Sequence, residues 1–135
     1  MATEVPLIIV DAANVVGSVP DGWWRDRHGA AERLRDRLAE RAGQGLPERD
    51  GVPDWATRAP LEIVLVVEGA ARGVEPVAGV RVAAAAGSGD DRIVELARER
   101  APDRRCLVVT ADRELRARVA ALGTAVVGPR AVRPA

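Results

Sequence analysis

The sequence predicts an α/β protein with a parallel sheet covered by helices on both faces. Two observations predict it. Short, near-continuous apolar runs alternate with segments of helical periodicity along the 135 residues, and strands that are apolar on both faces belong to parallel sheets buried between layers. The length suits one domain with one hydrophobic core, expected over residues 1–130, with 131–135 as a C-terminal tail.

The elements follow in order. "VPLIIV" (5–10) reads as a buried strand, and residues 11–24, rich in Asp, Gly, Pro and Asn, as a loop. Ala30, Leu34, Leu38 and Ala42 form one apolar stripe, which predicts a helix over 25–43, with Asp26 either as its N-cap or as an acid at the margin of the site. Residues 44–60 carry Pro and Gly without periodicity and read as a long loop. "LEIVLVV" (61–67) is a second strand, and "VAGVRVAAAA" (77–86) contains a third. Residues 89–100 read as a helix with Ile93, Val94, Leu96 and Ala97 inward, and "RCLVVT" (105–110) as a fourth strand. A helix over 112–122, with Leu115, Val119 and Leu122 on one side, leads to a fifth strand at 124–128.

Composition narrows the function. Twenty basic residues, all Arg, balance twenty acids, so no global positive field drives duplex binding. Arg is the better bidentate partner for phosphate where local patches exist. The single Cys, Cys106, lies in an apolar run and reads as a buried structural thiol. His28 has no Cys or His partner, which argues against zinc. No apolar stretch reaches membrane length and no leader pattern opens the chain, so a soluble, cytoplasmic protein without a membrane partner is expected.

Familiar phosphate chemistries lack their signatures. No G-x-x-x-x-G-K-[ST] and no G-x-G-x-x-G at a strand–helix junction occurs. Without Lys the chain is not a usual response-regulator receiver. Asp11 is followed by Ala12 and Ala13, so the D-x-D of haloacid-dehalogenase-like phosphatases is absent, and there is no Nudix box.

Carboxylates instead gather where ligands bind in open α/β sheets, outside the carboxyl ends of the strands. Asp11 follows the first strand, Glu68 the second and Asp112 the fourth, while Asp90 and Asp91 open the intervening helix. Each has a local reading. Ser88 with Asp91 fits an S-x-x-D capping box, Asp112 can cap its helix, and Asp11 with Asn14 can shape a turn. Together at one sheet edge they repel one another unless nearby Arg or a hard cation neutralises them. Mg²⁺ or Mn²⁺ prefers such oxygen donors, and can polarise a phosphoryl oxygen and activate water.

Four segments then resemble the NYN branch of the PIN-like nuclease superfamily. "IIVDAANVV" (8–16) resembles its opening D-x-x-N, and "LVVEGAA" (65–71) its acidic second-strand end. "GDDRIVELA" (89–97) resembles its acidic helix start, and "LVVTADRELRARV" (107–119) its T-x-D-x-x-L segment. They occur in the family's order and span most of the chain. The resemblance implies a three-layer α/β/α fold with sheet order 3-2-1-4-5. It also implies a metal-dependent ribonuclease that hydrolyses RNA phosphodiester bonds by in-line attack of an activated water, leaving a 5′-phosphate. On this carry-over Asp11, Asp91 and Asp112 hold Mg²⁺ or Mn²⁺, with Asp90 as an alternative or additional ligand and Glu68 contributing through water. Asn14 orients Asp11 or the phosphate, and Thr110 bonds a carboxylate or the attacking water. The implied partner is single-stranded or structured RNA. The resemblance also admits a toxin role with an antitoxin-like partner, and a homodimer.

In the segment "GSVPDGWWRDRHGA" (17–30), Trp23 and Trp24 beside Arg25 and Arg27 suit base stacking with phosphate contact. Ser88 is a further candidate contact. The local reading is that one Trp staples the loop onto the first helix. Two other functions stand beside the nuclease: a non-catalytic RNA- or nucleotide-binding module, and a metal-dependent nucleotide hydrolase or phosphatase on the same fold.

Overall fold

The computed structural model describes residues 5–100 and 102–134. The first four residues of the expected domain and Ala135 of the expected tail lie outside them.

Five strands, β1 (Leu7–Asp11), β2 (Glu62–Val67), β3 (Val80–Ala84), β4 (Cys106–Val109) and β5 (Ala125–Val127), form one sheet in the order β3-β2-β1-β4-β5. All four pairings are parallel. This is the order implied by the NYN resemblance. The central strand β1 is buried along its whole length because β2 and β4 flank it and helices cover both faces.

Alternation along the strands divides the core in two. Ile8, Val10, Ile63, Leu65, Leu107 and Val109 point to one face. There they meet α1 (Ala12–Gly17) and α2 (Arg27–Ala42). Leu7, Ile9, Val64, Val66 and Val108 point to the other, where α3 (Gly89–Glu99) and α4 (Arg113–Ala120) pack through Ile93, Ala97, Leu115 and Val119. The predicted α2 stripe is the buried one: Leu34 and Leu38 are fully inaccessible, and burial of each contributes about 2 kcal/mol. Asp26 accepts from the Gly29 amide at 2.9 Å and caps this helix as expected.

Two segments read as loops have more structure. Residues 12–17 form α1, started by Asp11, which accepts from the Asn14 amide, and ended where the Ser18 hydroxyl donates to Val15 O at 2.6 Å. Six residues are too few for periodicity to reveal, and the helix is held by burial of Ala12 and Val15. Residues 44–60 are not a free loop. Leu46 and Ala56 are buried in the core shared with Val127, and residues Asp54–Thr57 make a 3-10 turn. This segment shares the core of the α2 face with Val127, Ala131 and Val132. Arg49 reaches across to the carbonyls of Arg130 and Arg133, so residues 130–133 are also held, with Ala131 and Val132 buried rather than trailing.

Candidate active site

The same alternation aims the acids. Asp11 continues the Leu7–Ile9 side of β1, and Thr110 continues the Cys106–Val108 side of β4, so both point toward the α3–α4 layer. Asp11 is buried, at 6 % exposure, at the carboxyl end of the central strand. Thr110 Oγ1 donates to Asp11 Oδ2 at 2.9 Å and accepts from the Asp112 amide at 3.1 Å. Asn14 holds the same region from the other side. Its amide donates to Asp11, and its side-chain Oδ1 accepts from the Ala111 amide at 2.8 Å. The D-x-x-N and T-x-D segments are thus stitched together across 97 and 99 residues.

Glu68 follows β2 and accepts from the Gly89 amide, the first residue of α3. A Cβ at position 89 would stand 3.1 Å from Glu68 Oε2, so glycine permits this approach. Ser88 makes no side-chain cap bond, which corrects the capping-box reading of Ser88 and Asp91: the charge on Glu68 serves that helix end instead. Asp112 accepts from the Leu115 amide at 2.9 Å and caps α4.

The two neighbouring aspartates face different ways. Asp91 is exposed, and its carboxylate accepts from Arg118 Nη2 at 3.1 Å. Asp90 is half-buried among acids: burial first, then Asp112 and Glu68, push its carboxyl above the usual range, against the pull of Arg118. Burial likewise pushes Asp11 up to about 6, helped by Asp90 and Glu68 and opposed by the bonds from Thr110 and Asn14. The arrangement brings together Asp11, Asn14, Glu68, Asp90, Thr110 and Asp112, and leaves Asp91 at the rim.

Four carboxylates at one edge, two of them made less acidic by their surroundings, are a donor set suited to a hard divalent cation. Among the described residues no three acidic, His or Cys side chains are gathered closely enough to enclose an ion by themselves. Mg²⁺ sites commonly use one or two carboxylates and complete the shell with water, so these oxygen donors fit such an ion without forming a closed cage.

Beside the acids lies a cavity of about 470 Å³. Its wall includes Ala12, Val16, Trp23, Arg27, Ala31 and Ala71, and Glu68, Gly87 and Ser88 also line it. Trp23 and Trp24 meet edge to face at 6.1 Å, with Arg27 over Trp23 at 5.4 Å and Arg25 over Trp24 at 5.6 Å. Trp24 and Arg25 are exposed outside the cavity lining. Sequence reasoning missed Arg118 and the alanine wall. Arg118 stands on an exposed helix face like many other Arg residues, and small residues at a strand–helix junction carry no functional signal of their own.

No protein-family model matches the chain, and no curated protein matches it. Among solved structures it is similar to Rae1 (YacP) from Bacillus subtilis, with a TM-score of 0.69 and 16% identity over 94% of this chain and 71% of that one. The W164L mutant of the same protein gives 0.68 and 18%, over 95% and 72%. The five-stranded parallel sheet between two helical layers is a three-layer α/β/α fold, shared with that protein.

Proposed function

We propose that this chain is a metal-dependent ribonuclease of the NYN type. One observation carries the reading: the buried Asp11 at the end of the central strand shares its edge with Asp90, Glu68 and Asp112 and is bonded to Thr110. The PIN-like fold and the four motif segments support it.

Asp11, Asp90 and Asp112 would surround Mg²⁺ or Mn²⁺, one or two of them bound directly and the rest, like Glu68, acting through water. The resemblance placed Asp91 in this set. We assign that place to Asp90, because Asp90 has carboxylate neighbours whereas Asp91 is exposed and paired with Arg118. When bound, the ion offsets the mutual repulsion of the acids, polarises a phosphoryl oxygen and makes an attacking water more acidic. The protein's own part is positioning. Thr110 fixes the rotamer of Asp11, Asn14 ties the 110–112 turn to α1, and the Gly89 amide orients Glu68. Ser88, Trp23 and Arg27 flank the acids on the substrate side.

The test is a fluorophore–quencher single-stranded RNA incubated with the protein and Mn²⁺ or Mg²⁺. Cleavage is expected, is stopped by EDTA and is absent in Asp11→Asn. RNA binding that ignores EDTA, with no cleavage, would identify a binding module. Phosphate release from nucleotides with RNA intact would identify a small-substrate hydrolase.

A further inference from the structure

We propose that the cavity beside the carboxylates takes one unstacked nucleobase of a single-stranded RNA, so that the chain cuts at unpaired positions next to a captured base. This rests on the ribonuclease reading and adds a specificity site to it.

The cavity has the size and lining of a site for one small ligand. Its volume of about 470 Å³ falls within the roughly 300–1,000 Å³ of such sites, which pair apolar walls with a few polar groups. Here Val16, Ala31 and Ala71 supply the apolar wall, and Glu68, Arg27 and Ser88 the polar groups.

Trp23 is the second observation. Trp55 packs against the core, but Trp23 belongs to neither core cluster. It is nevertheless held in place, by Trp24 at its edge and Arg27 over its ring. Its indole carbons lie 3.7 Å from where a Gly17 Cβ would stand. A large aromatic fixed beside a cavity and unused by the core offers an indole against which a base can pack. Arg27 makes no ion pair among the described residues, so its charge is free for a phosphate.

Continuity with the acids sets the geometry. Ala12, next to Asp11, lines the cavity, as does Glu68, which neighbours both Asp11 and Asp90. A base seated against Trp23 therefore carries its own backbone to the carboxylate edge. A base inside a duplex stack cannot enter, which selects unpaired RNA.

Two measurements test this, the first of them without any cleavage. The first follows Trp23 fluorescence in a protein carrying Trp24→Phe and Trp55→Phe, titrated with adenosine and, as control, ribose. Saturable quenching by adenosine alone is expected, lost in Gly87→Leu; a Cβ at position 87 meets nothing within 4 Å, so this variant fills open space without a clash. No saturable quenching, or equal response to ribose, overturns the proposal whether or not the protein is a nuclease. The second compares cleavage of RNAs of one sequence with a single abasic site placed at successive positions. One position relative to the cut is expected to slow wild type about ten-fold or more, and Trp23→Ala and Gly87→Leu to lose that sensitivity. Equal rates at every position overturn the proposal while leaving the ribonuclease standing. If no RNA is cleaved, the ribonuclease reading fails and the adenosine titration alone decides the cavity's role.

Discussion

The hydroxyl of Thr110 donates to Asp11 Oδ2 at 2.9 Å, joining the ends of two adjacent strands through a buried hydrogen bond between residues 99 apart in sequence. This bond favours the charged carboxylate against the burial that opposes it. Thr110→Val keeps the shape and removes the donor. Activity is expected to fall about 10–100-fold, as for other groups that orient a metal ligand. The acid limb of the pH–rate profile should move to higher pH, because Asp11 loses a bond that lowers its pKa. Thr110→Ser should restore both. A Val variant with the wild-type profile would remove Thr110 from the mechanism.

Asp11 also gives stability a pH dependence. Its carboxyl is pushed up to about 6 from 3.8 in the folded chain, so the folded state binds more protons between those values. The contribution of Asp11 to stability is therefore best below about pH 4, declines as pH rises through 6, and levels off above. At neutral pH and without divalent ions the charged, buried group costs about 3 kcal/mol. Asp11→Asn should raise the melting temperature at pH 7, with the gain shrinking toward pH 4. Thermal unfolding across this range checks it, and an Asn variant less stable at pH 7 would contradict the burial argument.

The different exposure and neighbours of Asp90 and Asp91 make the pair a discriminating test. Calorimetric titration of Mn²⁺ should lose its binding signal in Asp11→Asn, Asp90→Asn and Asp112→Asn. Asp91→Asn should retain it, because its exposed ion pair with Arg118 is of a kind that contributes about 0–1 kcal/mol. The same order is expected in turnover, with Asp91→Asn within a few-fold of wild type. Loss of binding in Asp91→Asn with retention in Asp90→Asn would restore the assignment that the motif resemblance implies.

Leu46 and Ala56 anchor segment 44–60 in the core. Leu46 is 2 % exposed and packs with Ala56 and Val127. Leu46→Ala should cost about 2–5 kcal/mol, the range for buried leucine truncations, and denaturant unfolding measures it. A cost below 1 kcal/mol would mean that the segment moves independently of the sheet.

Local pattern was enough for the layered α/β architecture, the strands, the α2 stripe, and the edge on which Asp11, Glu68, Asp90 and Asp112 gather. Period and strand-end position are local properties that the side chains carry without reference to distant residues. Tertiary structure decided the rest. α1 is too short to show a period, and segment 44–60 is anchored through Leu46 and Ala56, which enter the core that holds Val127. Asp90 and Asp91 are equivalent in the string, and only the packing of α3 against Glu68 and α4 turns one toward the acids and the other toward Arg118. Likewise, nothing local distinguishes Trp23 from Trp24. The difference arises where α1, α2 and the ends of β2 and β3 meet to leave a cavity, and one indole lines it while the other faces solvent.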